Sequence, residues 1–227
     1  MHNVRLFYVL LLAVMLFTPV AKSMAESLSD RAEGLVSLLQ KRYENTTDIT
    51  ADFKQETFAA GSSESLKAEG KVYFNRPHQM RWEYSKPEPQ LIVTSGQEVY
   101  VYEKEANQVM VLPRNQLLST EISKAFFFGK GDIEHYFIVE NPQKDQPEAQ
   151  WMLKLTPRDP VPQVCTIWIV VDPDMHLVKE MWLEDPLGGK THLVFSNVKI
   201  NKGLSDDLFQ FTPPRGVEIY RADDSKD

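Results

Sequence analysis

The chain is poor in the residue types from which catalytic and metal sites are built. Cys165 is its only cysteine, so no disulfide can close within it, although an oxidising compartment would not require one. Within Val164-Cys165-Thr166-Ile167 that thiol reads as a small buried hydrophobe, because a reactive one needs a histidine in an electropositive setting. Apart from His2 near the start, the histidines are His78, His135, His176 and His192. They are scattered through turns and strand ends, and no two stand at ligand spacing. No G-x-S-x-G elbow, H-E-x-x-H, C-x-x-C or glycine-rich phosphate loop is present. Asp172 and Asp174 flank Pro173 and read as turn chemistry rather than a carboxylate pair. The expectation is a protein that is not an enzyme, with no catalytic residues, no metal and no cofactor. Positive charge is also in deficit: 25 Lys and Arg face 32 Asp and Glu, for a formal net charge of −7. That balance argues against nucleic acid or an anionic membrane surface as the main partner.

One long apolar run exists, at the start. Arg5 supplies a positive lead, Leu6 to Val20 is apolar, and Ser23-Met24-Ala25 is a small-x-small cleavage pattern. About 15 apolar residues fall short of the roughly 20 that span a bilayer. Residues 1–25 are therefore expected to be a signal peptide and 26–227 a single exported domain. The leader holds Arg5 and Lys22 and no acid, so its removal takes the charge from −7 to −9. No cysteine near the cleavage position could take a thioether lipid, and the product is expected to be soluble in the periplasm.

What the chain does have is alternation. Ser27 to Tyr43 is first read as a helix, with Leu28, Ala32, Leu35, Leu39 and Tyr43 on one stripe and a Ser27–Asp30 cap. From Ile49 onward the period is two. Strands are expected at 49–57, 69–75, 79–84, Gln90–Thr94, Glu98–Tyr102, Gln108–Leu112, His135–Val139, Gln150–Leu155, Gln163–Val171, Leu177–Leu183 and Thr191–Val198. Pro- and Gly-containing turns separate them, which predicts an antiparallel meander of about eleven strands curved into a barrel or half-barrel. One helical segment interrupts it: Leu117 to Phe128 places Leu118, Ile122 and Phe126 at i, i+4 and i+8, with Gly129 to close it. Strand parity collects Phe53, Val72, Phe74, Met80, Trp82, Ile167 and Ile169 on a common interior with Leu35 and Leu39. Whether that interior is a filled core or a ligand cavity is left open by the pattern. Arg76 shares the parity of Val72 and Phe74, so it should point inward, where a guanidinium needs carbonyls at a helix end.

The stretches GKVYFNRPHQMRWEYSKPEPQLIVTSGQEVYVYEKEANQ, Gly70–Gln108, and DDLFQFTPPRGV, Asp206–Val217, together with Ala51-Asp-Phe-Lys-Gln55 after an amphipathic helix, resemble the LolA family of periplasmic lipoprotein carriers. R-P-x-x-x-R-W-x-Y, then G-x-x-V-Y-x-Y, then F-T-P-P-x-G form a specific combination, and the element order fits over residues 27–220. Ser95-Gly96 stands where Asp-Gly is frequent, and Leu117–Phe128 matches poorly in detail. The resemblance implies an unclosed antiparallel barrel of eleven strands with an α-helical lid over a hydrophobic cavity. It implies lipoprotein acyl chains as cargo, an inner-membrane ATP-binding-cassette exporter as donor and an outer-membrane receptor lipoprotein as acceptor. It makes Arg76 the latch on the lid helices, and Leu118, Ile122 and Phe126 part of that lid. A monomer is expected. Two other readings stay in play: a lipid-binding sensor or regulator on the same fold, and an envelope hydrolase.

Overall fold

The computed structural model describes residues 20–114, 133–141, 151–160 and 164–222, with side chains from residue 31 onward. The Leu117–Phe128 segment, and with it Leu118, Ile122 and Phe126, lies outside the described residues. The first element is a long helix, α1 (Val20–Glu44). Ser27 therefore sits inside the helix rather than capping it, because Ala21, Lys22, Met24 and Ala25 before it are good helix formers. Ala32, Leu35, Val36, Leu39 and Tyr43 are each less than 9 % exposed and form its buried stripe.

Twelve strands follow: β1 (Asp48–Phe58), β2 (Ser65–Asn75), β3 (Gln79–Lys86), β4 (Gln90–Ser95), β5 (Glu98–Glu103), β6 (Gln108–Pro113), β7 (Phe137–Glu140), β8 (Met152–Pro157), β9 (Thr166–Val171), β10 (Val178–Glu184), β11 (Lys190–Ile200) and β12 (Glu218–Arg221). They make one sheet in the order β12-β6-β5-β4-β3-β2-β1-β11-β10-β9-β8-β7, whose two ends do not pair with each other. The sheet is an unclosed barrel. Its spine is β1, held between β2 and β11 along almost its whole length. Register shifts between Thr50 and Asp52, between Glu69 and Gly70, and between Val178 and Glu180 bend the strands and help the sheet curl.

Three details differ from the sequence reading. The segment expected as a strand at His135–Val139 opens with one turn of helix, α2 (Ile133–Tyr136), and only then becomes β7. Arg158 fixes that switch: its backbone N–H donates to Tyr136 O at 2.9 Å and its Nε to Glu134 O at 3.0 Å. A twelfth strand, β12, adds to β6 in parallel, the one pairing among the described residues that is not antiparallel. Four residues with every side chain exposed carry no burial pattern, so nothing in the sequence marked them. Cys165 is half-buried, since β9 starts at Thr166 and Val164 takes the buried place across the bend.

The inward positions of the strands meet the α1 stripe in one core that includes Phe53, Val72, Met80, Leu153, Leu155, Ile167, Ile169 and Met181. Each such side chain contributes about 1.5–3 kcal/mol when removed from water. The segment after β11 crosses to the outer face. Its 3-10 turn, Asp206–Phe209, buries Phe209, Arg81 Nη1 donates to Leu208 O at 3.0 Å, and Phe211 covers Tyr100 and Tyr102 at ring separations of 5.3 and 5.8 Å.

Candidate functional site

The concave face is the candidate site, and the C-terminal end of α1 is its most constrained corner. A helix leaves its last carbonyls without intrahelical partners. Here Thr46 Oγ1 donates to Arg42 O at 2.8 Å and Asn45 Nδ2 to Lys41 O at 2.7 Å. The Tyr43 carbonyl accepts from Arg76 Nη1. Arg42 Nε in turn donates to Met175 O at 2.6 Å, and Asn201 Nδ2 to Asn45 O at 3.1 Å. Turns from three separate parts of the sheet thus hold one helix end, the end that the chain itself ties to β1.

Asp48 anchors the loop beside that corner. It is 2 % exposed, and its carboxylate accepts from the backbone N–H groups of Lys202 and Gly203 at 2.8 and 2.9 Å and from Thr47 Oγ1 at 3.2 Å.

Arg76 follows directly on β2, so the strand's alternation delivers its side chain to the interior side. Besides the bond to Tyr43 O, its guanidinium carbon lies 5.3 Å from the centroid of the Tyr43 ring, a cation–π distance. Burial pushes the Arg76 pKa below its ordinary value, with the Tyr43 side chain opposing. Burial likewise raises the Tyr43 phenol to about 12, against a backbone hydrogen bond from Val178 and the charge of Arg76.

Phe53, Val72, Phe74, Met80, Trp82, Ile167 and Ile169 are all at most 8 % exposed and lie in one cluster with Leu35 and Leu39. Trp82 is at the centre of an aromatic group, 4.8 Å from Phe53, 6.1 Å from Phe74 and 6.3 Å from Phe195 between ring centroids. The structure separates those residues into two roles. Val72 and Phe74 also line an apolar gap with Tyr43, Ile49, Ala51 and Met181. Phe53, Met80, Trp82, Ile167 and Ile169 pack the core away from that gap. Ala51 and Met181 are gap residues that the sequence reading did not single out. The gap measures only ≈ 40 Å³. A water needs about 10–15 Å³ on this measure, so it has room for a few waters and not for an acyl chain. Among the described residues the α1 stripe packs against the concave face, and this gap can take an acyl chain only if the helix gives way.

Of the scattered polar candidates, Asp172 Oδ1 accepts from the backbone N–H groups of Asp174 and Met175 at 3.0 and 2.8 Å, which makes that segment a turn. Among the described residues no helix is long and apolar enough to cross a membrane.

The class these features define is an unclosed β-shell, apolar on its concave side, with one amphipathic helix lying in the opening. The family model for the outer membrane lipoprotein carrier protein LolA matches residues 44–212, and the chain belongs to that family. It is 32% identical to the outer-membrane lipoprotein carrier protein of Nitrosomonas europaea over 217 residues, which are 96% of this chain and 98% of that one. The corresponding protein of Chromohalobacter salexigens is 27% identical, over 87% of this chain and 90% of that one. A crystal structure of a LolA superfamily protein from Nitrosomonas europaea superposes with a TM-score of 0.45 at 14% identity, over 79% of this chain and 97% of that one.

Proposed function

We infer that this protein is a carrier that shelters the acyl chains of lipoproteins against its concave face during transit through the periplasm. Residues 1–25 act as the export signal in this reading, and 26–227 form the single working domain, a monomer. Cargo comes from an ATP-binding-cassette exporter in the inner membrane and passes to a receptor lipoprotein in the outer membrane. The chain does no covalent chemistry; the energy for loading is spent by the donor.

The observation that carries this reading is the pairing of an apolar concave sheet with a helix that occupies the same space a ligand would need. Hiding acyl chains from water gains about 0.8 kcal/mol per methylene, so a carrier must offer a dry wall. It must also let go. The core-facing stripe of α1 competes with the cargo for that wall, so refilling by the helix offsets part of the binding free energy. Arg76 latches the closed arrangement by holding the Tyr43 carbonyl, and the segment with Leu118, Ile122 and Phe126 completes the lid.

The test is direct. Affinity-tagged protein is recovered from its native periplasm, and what co-purifies is identified by mass spectrometry before and after organic extraction. Lipoproteins carrying N-terminal acyl groups are expected. Recovery of phospholipid alone, with no acylated protein, would sink the carrier reading in favour of a lipid sensor.

A further inference from the structure

Arg76 carries more hydrogen-bonding capacity than the protein around it uses. Its backbone N–H donates to Thr47 O at 2.9 Å and its Nη1 to Tyr43 O. Its Nη2 is buried and has no hydrogen-bond partner among the described residues. A buried donor left unmade is destabilising, and more so on a charged group. The orphan nitrogen also sits at a significant place. Tyr43, which Arg76 grips, is one wall of the apolar gap, and Phe74, two residues before Arg76 on the same side of β2, is another. A spare cationic donor therefore stands beside Tyr43, whose side chain lines the apolar gap.

We propose that this corner binds the head of a single-chain anionic amphiphile, in the first place a free long-chain carboxylate. One carboxylate oxygen accepts from Arg76 Nη2, and the tail runs past Tyr43 and Phe74 towards Ile49, Ala51 and Met181, in the space that opens when the α1 stripe gives way. The inference rests on the concave face being an acyl-chain site and adds to it a head-group subsite and a ligand that is not a lipoprotein. The planar fork of a guanidinium suits a carboxylate better than any other cation does, and the charge-assisted bond is strongest where water is excluded. The Nη2 amino group has two N–H bonds to offer an anionic oxygen, and a gap this narrow favours one chain and a compact head. Acyl chains fixed to a protein end in neutral ester or amide groups and gain less at the same place. A monoalkyl phosphate offers the same anionic oxygen on a bulkier head.

The experiment is displacement of the neutral fluorescent dye N-phenyl-1-naphthylamine from the purified mature chain by dodecanoate, dodecanol or dodecyl phosphate. Dodecanoate should displace the dye at a concentration at least tenfold below that of dodecanol, with dodecyl phosphate between them. Arg76→Leu should erase the preference, and Arg76→Lys should keep part of it. If Arg76→Leu does not fold by circular dichroism, Arg76→Gln, which keeps the length and loses the charge, is read in its place. Equal displacement by dodecanoate and dodecanol overturns the proposal, as does a preference that survives removal of the charge. Stronger displacement by dodecyl phosphate than by dodecanoate overturns the carboxylate assignment. A diacylated lipopeptide in the same assay separates the two levels. Displacement by the lipopeptide without any head-group preference removes this subsite and leaves the carrier reading standing, whereas no displacement by any of the four removes both.

Discussion

Arg76 and Tyr43 hold each other twice, through Nη1 on the Tyr43 carbonyl oxygen and through a guanidinium 5.3 Å from the Tyr43 ring centroid. The contact joins the residue after β2 to the last turn of α1, and it holds the helix at the end that already belongs to the sheet. A charge-assisted bond of this kind is worth about 1.5–3 kcal/mol. Arg76→Leu removes it and adds apolar surface beside the gap, while the Arg42–Met175 and Asn201–Asn45 bonds keep the helix attached. The empty, helix-filled state then loses more than the loaded one. In a two-step transfer assay the variant should accept lipoprotein from the donor normally and deliver it poorly, with Arg76→Lys between. Normal delivery by Arg76→Leu refutes the latch.

Trp82 should report on loading. It is 8 % exposed and touches Phe53, Phe74 and Phe195, so any shift of α1 or of the gap wall changes its surroundings. An acyl ligand is expected to alter the intrinsic fluorescence, and Trp82→Phe to remove most of that change. A full response in the variant would move the binding event towards Trp151, Trp168 or Trp182.

Gly70 is a position where the sheet tolerates no side chain. A Cβ there would lie 1.9 Å from the carbonyl oxygen of Glu83, a backbone atom that cannot swing aside. The register shift between Glu69 and Gly70 brings β3 this close. Gly70→Ala should cost more than about 2 kcal/mol, at the severe end for a single methyl group. Chemical denaturation measures it; a loss below about 0.5 kcal/mol would mean that β3 can retreat without penalty.

Glu98 ties β12 to the sheet and makes that tie depend on pH. Its carboxylate accepts from Tyr100 Oη at 2.5 Å and pairs with Arg221 Nη1 at 2.5 Å, and these two, Tyr100 first, hold its pKa below the ordinary value. A carboxylate lowered on folding contributes stability that is complete above its unfolded value, about 4.3, and is lost as the pH falls through the lower folded one. Acid below about pH 4 should therefore loosen Glu218–Arg221 before the rest of the sheet, and Glu98→Gln should loosen them at neutral pH. Amide hydrogen exchange at those four residues reads both effects. Unchanged exchange in Glu98→Gln would assign the strand's hold to its β6 pairing alone.

Much of the architecture was legible before any coordinates because alternation is a local code. Val72, Phe74, Met80 and Trp82 face inward in the structure as their parity requires, and the apolar stripe of α1 runs through Leu35 and Leu39. Parity is also why Arg76 could be placed on the inner side. His135 and Tyr136 misled because a residue one turn from a strand has no periodicity of its own, and Arg158, far along the chain, fixes the turn. Ala51 and Met181 line the gap for a reason no pattern carries: bends at register shifts set which inward residues border empty space.

The sequence by itself determined the inward faces of β1, β2, β3 and β9, the deficit of reactive groups and the family, because each is written in residue identity and spacing along the chain. Only the tertiary structure decided that α1 packs against the concave side and leaves, between Tyr43 and Met181, a gap of ≈ 40 Å³. It alone decided that β12 pairs in parallel with β6 and that Arg76 meets Tyr43 across 33 residues with one nitrogen to spare. Those outcomes depend on how strands curl and where the helix end comes to rest. They are long-range distances, and spacing along a chain does not encode them.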